Sequence, residues 1–261
     1  MTPPVSESVL LALDLDWPFK YYLFAGLAVL VVLFAIVVFI VSLCERQYLV
    51  GDVEPAYEPY PYPATPYWRT TRDDAIKLGL RHAGDFATKK DTTMVKGLQS
   101  MFMTQDNCVL VSIVSGSVSV AKMKKTVLRS RLPDGRVLES SDNPGLTDHS
   151  GVVQRKVLLN AGIAELLDFH LARIQANGGM VLPFNPNAAI EEYERIDLER
   201  AGRWVERGLA RWADQQQTSI RMTVSGACAQ VAKMFKETDK LDAQDNRTAI
   251  KRAGSRPGEA F

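Results

Sequence analysis

The chain has 261 residues, 46% of them hydrophobic, with thirty-one Lys and Arg set against thirty Asp and Glu. A formal net charge of +1 excludes the clear basic excess of a dedicated nucleic-acid binder. Three cysteines, an odd number, exclude the disulfide framework of a small secreted module.

Residues 1–20 read as a short tail carrying Glu7, Asp14 and Asp16, with Lys20 its only basic side chain. Tyr21–Cys44 then runs for twenty-four residues without a formal charge. At about 1.5 Å per residue this is roughly 36 Å of helix, enough to cross a hydrocarbon core of about 30 Å. A spanning segment must pair every backbone N–H and C=O within itself, so helix is the expectation. Trp17, Phe19, Tyr21 and Tyr22 fit an interfacial aromatic belt at one edge. A cleavable signal is disfavoured by the acidic leader, the length of the run and the absence of a small-residue cleavage site at Val41-Ser42-Leu43. Lys20 and Arg46 tie under the positive-inside rule, and Arg69 and Arg72 tip the C-terminal part toward the cytoplasm. Cysteine usage agrees with a reducing compartment.

Between 45 and 69 the stretch Pro55–Trp68 holds five Pro and four Tyr. That density predicts an extended polyproline spacer holding a domain off the bilayer. A helix is expected from Thr71, with Asp74 three residues on as a capping box and Gly84 as its stop. His82, near its end, suits the negative pole of the helix dipole. The period then changes. Met94–Thr104, Val109–Val120, Thr126–Leu132 and Arg136–Ser140 are rich in β-branched residues, and Pro133-Asp134-Gly135 predicts a tight turn between the last two. Short connections between consecutive strands imply an antiparallel meander.

Ile163, Leu166, Leu167, Leu171 and Ile174 form a helical stripe ending at Asn177-Gly178-Gly179. A second helix is expected from Asn185 as cap and Pro186 as first residue, burying Leu198, Ala201, Val205, Leu209 and Trp212. A third would align Ile220, Val224, Val231 and Phe235. After about Thr238 periodicity ends, and 239–261 reads as a disordered tail.

Motifs for chemistry are sparse. Gly116–Met123 superficially suggests a phosphate loop, but Ala121 and Met123 stand where Gly and Ser or Thr are needed, and a strand follows. No His, Cys, Asp or Glu cluster has metal-ligand spacing, so neither metal nor cofactor is expected. His149 with Asp148, in a loop beside Ser150, and His170 on its helix are the candidates for acid–base work. The basic run Lys122–Arg131 places Lys125, Arg129 and Arg131 on one strand face, a candidate surface for acidic lipid head groups or a solvated face balanced by Asp134, Glu139 and Asp142.

The sequence therefore predicts an α+β protein: tail 1–20, transmembrane helix 21–44, stalk 45–69, a domain at 70–238 built as an antiparallel meander packed with helices, and tail 239–261. One integral helix makes the membrane its expected partner, with a protein partner for the domain and no nucleic acid. The expected role is non-catalytic, in interaction, scaffolding or sensing. The alternative is a membrane-tethered hydrolase using His149 or His170 with Asp148.

Overall fold

The computed structural model describes residues 17–44, 46–49, 52–89, 95–118, 121–143, 148, 150–229 and 231–232. The expected tail at 239–261, most of the tail at 1–20 and His149 lie outside them.

Helix α1 (Trp17–Cys44) has 28 residues, all of them uncharged except Lys20. Its described large side chains are exposed on every side, among them Leu23 at 52%, Leu30 at 64% and Phe34 at 57%. Taken over described residues alone, no helix is long and apolar enough to cross a membrane.

Three residues after Cys44, β1 (Gln47–Tyr48) pairs with β10 (Ser219–Met222), which in turn pairs with β9 (Ala210–Trp212). This small antiparallel sheet aligns Gln47 with Ile220 and Ile220 with Trp212. Arg46 fastens the junction, its Nε donating to Ser219 Oγ at 2.7 Å and its Nη2 pairing with Asp214 at 3.0 Å.

The main sheet has seven strands in chain order: β2 (Val53–Pro55), β3 (Arg81–Thr88), β4 (Val95–Met103), β5 (Leu110–Val118), β6 (Ala121–Arg131), β7 (Val137–Ser141) and β8 (Val153–Val157). Neighbours from β2 to β7 are antiparallel, as a meander of β-branched strands requires, and β8 alone is parallel to its neighbour. The Pro133-Asp134-Gly135 turn is present, with Gly135 at φ +83, a conformation an L residue with a side chain rarely adopts. Gly97 and Gly116 pair across β4 and β5, where a Cβ on Gly97 would stand 2.4 Å from the Ser115 carbonyl. Gly116 thus serves strand packing in place of a phosphate loop.

Strand alternation sorts the side chains into two cores. One face carries Leu98, Phe102, Val111, Ile113, Leu128 and Leu138 beneath α2 (Pro66–Lys77) and α3 (Ile163–Ala176). The other carries Met101, Met103, Leu110 and Val137 against Ala189 and Ile196 of α4 (Ala189–Glu206). A third cluster joins Trp204 of α4 to Leu49 and the small sheet.

Several expectations change here. The Pro/Tyr segment is folded onto the domain: Ala56 and Trp68 are buried, Tyr60 Oη donates to Asp85 at 2.9 Å, and Tyr62 Oη donates to the Thr88 carbonyl at 3.0 Å. Proline density describes backbone stiffness, and a stiff chain studded with aromatic rings can pack along a sheet edge. Thr65, not Thr71, caps α2 by accepting from Trp68 N–H at 3.2 Å, with Pro66 behind it. Gly84 lies in β3 at a bulge, and His82 is on that strand, away from any helix end. Helix α4 starts at Ala189, because Asn185 Oδ1 accepts from Asn187 N–H in a separate turn. Trp212 and Ile220 are strand residues, the chain having turned at Gly208 with φ +69.

Candidate functional site

The polar chemistry of the domain is concentrated in buried networks that tie helices to the sheet. His170, on α3, has no exposed surface. Its Nδ1 lies 2.8 Å from Ser140 Oγ on β7, and its Nε2 lies 3.0 Å from Ser130 Oγ on β6. Ser130 donates to the Cys108 carbonyl at 2.7 Å, so it must accept from the ring, which places the proton on Nε2. Ser140 accepts from Arg173 Nη1 at 2.8 Å and donates to Nδ1. The direction therefore runs from Arg173 through Ser140, His170 and Ser130 to a backbone carbonyl, with each member satisfied. Burial first, and the Arg173 charge second, push His170 down to about 3, so it stays neutral. A sealed neutral imidazole with both nitrogens engaged has no open position for a substrate.

Asp148, the expected partner, is occupied elsewhere: Ser150 donates to it from its backbone N–H at 3.1 Å and from Oγ at 2.7 Å. It shapes the loop before β8, and no hydrogen bond or ion pair joins it to His170 among the described interactions.

The basic strand face is neither open nor solvated. Arg129 is 3% exposed and Glu139 has no exposed surface. Arg129, Glu139 and Arg155 stand in register across β6, β7 and β8. Arg129 Nε reaches Glu139 at 3.0 Å and Arg155 pairs with the other carboxylate oxygen. From above, α4 closes the face: Asp197 pairs with Arg129 at 3.1 Å, and the Tyr193 ring lies 4.0 Å beneath the Arg129 guanidinium. Burial alone would raise Glu139, but the charges of Arg129, Arg155 and Lys125 outweigh it and hold the carboxyl below the usual range. Lys125, half-buried on the same face, is pushed down to about 8 by burial and by Arg155, Arg129 and Arg200. Arg131 pairs with Glu199 of α4 at 2.9 Å. Of the three candidate lipid contacts, Arg129 and Arg131 are thus engaged by α4, and Lys125 is half-buried. Their partners lie up to 68 residues away, beyond the reach of a local reading.

A third network centres on Asp85, which accepts from His82 at 2.9 Å, Ser100 Oγ at 2.6 Å and Tyr60 Oη at 2.9 Å, and pairs with Arg72 at 3.1 Å. Burial opposes its ionisation, but hydrogen bonds from His82, Ser100 and Tyr60 lower it overall. Both His82 and Ser100 bond to the carboxylate and not to each other, so this is a brace and not a nucleophile–base pair.

Among the described residues, clefts open at the surface. One of about 440 Å³ contains Tyr67, Lys124, Thr126 and Asp142. Tyr67 Oη donates to Asp142 at 2.7 Å, while Thr126 N–H donates to the same carboxylate at 2.7 Å. Burial raises both Tyr67 and Asp142. One of about 360 Å³ lies beside Trp68 and Arg72, and another, about 710 Å³, lies over the C-terminal half of α4. Among the described residues no group of three or more His, Cys, Asp or Glu converges to hold a metal ion.

Compared with protein-family models, with curated proteins and with solved structures, the chain matches none.

Proposed function

We propose that this chain is a single-pass membrane protein whose α+β domain is a non-catalytic binding module, seated directly on its anchor on the cytoplasmic side. The observation that carries the reading is α1, a 28-residue helix with apolar side chains exposed on every side. Burying one such side chain is worth about 1.5–3 kcal/mol, and a dozen of them left in water would cost more than a typical domain's whole stability of roughly 5–15 kcal/mol. A bilayer removes that cost, and about 42 Å of helix is long enough to cross it with tilt. Strand β1 begins three residues past the helix, and Arg46 is pinned to β10. The anchor therefore leads into the fold without slack, and the β1–β10–β9 sheet would lie at the head-group layer. The non-catalytic half of the proposal is supported by the way His170, Glu139 and Asp85 are spent on bracing helices to the sheet.

The test is fractionation of the full chain beside a variant lacking residues 1–44. The full chain is expected to stay with membranes through alkaline carbonate and to need detergent for release. The shortened chain, which keeps Arg46 and β1, is expected to be released without detergent. Carbonate release of the full chain would sink the anchor reading.

A further inference from the structure

The small sheet that receives α1 buries one face, where Ala210, Ile220 and Met222 pack with Leu49 and Trp204. Strand alternation sends Arg211 of β9 and Arg221 of β10 to the other face, and both are exposed. The register sets Arg221 directly across from Arg211, between the pairs Ile220–Trp212 and Met222–Ala210. Side chains so opposed have Cβ atoms about 5 Å apart, and like charges there destabilise a sheet. Among the described strand pairs this is the only one that sets like charges opposite each other. In the main sheet the charged pairs are matched, Arg129 and Arg155 both standing across from Glu139.

The fold supplies this pair with no counter-charge. Among the described residues neither guanidinium has an ion pair or a side-chain hydrogen bond. Asp214, the acidic residue nearest to Arg211 in the chain, is already spent. It pairs with Arg46 at 3.0 Å and accepts from Ser219 Oγ and from Thr218 N–H. The pair also stands close to the anchor. Helix α1 lies against β10, and β1, three residues past the helix, pairs with the same strand. One step further along that register brings Arg221 level with residue 46, two residues from the end of α1. Val224, just past the same end of β10, is an apolar side chain 62% exposed.

We propose that Arg211 and Arg221 form a docking surface for anionic phospholipid head groups, an inference that rests on the membrane reading above. The phosphodiester of such a lipid bridges the two guanidinium groups and removes the repulsion between them. A sheet held at the head-group layer meets these phosphates at high local concentration, and the negative surface potential of the cytoplasmic leaflet draws basic side chains toward it. Val224 then meets the apolar side of that layer. The lipid contact is thus separate from Arg129 and Arg131, which α4 engages.

The test uses the full-length protein reconstituted into phosphatidylcholine vesicles, with spin-labelled phosphatidylglycerol or spin-labelled phosphatidylcholine added at trace level. Electron paramagnetic resonance gives the fraction of each label held at the protein surface. Phosphatidylglycerol is expected to associate at least about threefold more strongly at low salt, with the preference shrinking as salt rises. Arg211→Gln/Arg221→Gln should remove most of it. Both side chains are exposed, so this variant should melt at the wild-type temperature or slightly above, the repulsion being gone. Arg211→Lys/Arg221→Lys keeps both charges and should keep the preference. Equal association of the two lipids with the wild type, or a preference untouched by the Gln pair, overturns the site. Loss of the preference on adding inorganic phosphate at constant ionic strength makes a soluble oxyanion the occupant and overturns the lipid assignment. A chain that does not float with the vesicles fails as an anchored protein and takes the site down with it. Flotation without lipid preference fails the site alone.

Discussion

Replacing His170 with Gln should flatten the acid side of this protein's stability profile. In the fold the ring is held at about 3, against an ordinary value of 6.5. Below 6.5 the unfolded chain takes up a proton that the folded chain refuses, so stability falls as pH drops and goes on falling until about 3. At about 1.36 kcal/mol per pH unit, this single group removes about 2 kcal/mol between pH 7 and pH 5, and about 4 kcal/mol by pH 3. A Gln carboxamide can donate toward Ser130 and accept from Ser140, and it does not titrate. Urea unfolding of the full-length protein in detergent, followed by tryptophan fluorescence at pH 7 and pH 5, gives the comparison. The wild type should lose about 2 kcal/mol more than His170→Gln over that interval, with little change in the denaturant slope. The buried carboxylates are common to both proteins and cancel in the difference. Equal pH dependence in the two proteins would refute the sealed, neutral circuit. So would a His170 ring resonance that titrates near pH 6.

Glu139→Gln should destabilise the domain by about 3–5 kcal/mol, because it leaves the Arg129 and Arg155 charges buried with too little compensation. Loss of less than about 1 kcal/mol in a urea melt would mean that the face is solvated. Since Glu139 sits below its ordinary 4.5 in the fold, its contribution is present above that value and declines as pH falls beneath it. The wild-type advantage over the variant should therefore shrink in acid. Trp68→Ala, at a side chain 1% exposed, should cost about 3–5 kcal/mol, and a near-neutral result would restore the spacer reading of the Pro/Tyr segment. Gly97→Ala drives a Cβ toward the Ser115 carbonyl and should cost at least about 1–3 kcal/mol by thermal melt, where an open site would gain slightly.

What could be read from the sequence was whatever depends on near neighbours. The β-branched runs at 94–104 and 109–120 became β4 and β5 within a residue or two, and Asp134-Gly135 turned where its φ preference demanded. The stripe at Ile163, Leu166 and Ile174 became α3, although Leu171 points outward and His170 and Arg173 take the buried positions. Distant pairing was hidden. Strand β8 is five residues of mixed polarity, Val153-Gln154-Arg155-Lys156-Val157, and joins the sheet because Glu139 and Ser141 supply its register and charge partner. The basic run looked like a surface because five positive side chains in ten residues seldom go inside. Lys122 and Lys124 do stay outside, but Arg129 is buried and Arg131 partly so, because Glu139 faces Arg129 across the strand and α4 brings Asp197 and Glu199 from more than sixty residues away. The Tyr and Trp of the Pro-rich segment gave a signal that was available and outweighed by the prolines, since aromatic rings at that density favour burial.

The account turns on whether α1 spans a bilayer. In a variant with Cys44, Cys108 and Cys228 replaced by Ser, single cysteines are placed at Ser6 and at Gln216. Each is then challenged with a membrane-impermeant maleimide on intact cells and again after permeabilisation. A spanning helix predicts opposite behaviour: Ser6→Cys labels from outside, and Gln216→Cys labels only after permeabilisation. The reverse pattern would keep the span and invert the domain's side. Identical protection of both sites before permeabilisation, or identical labelling of both, would contradict the membrane crossing itself.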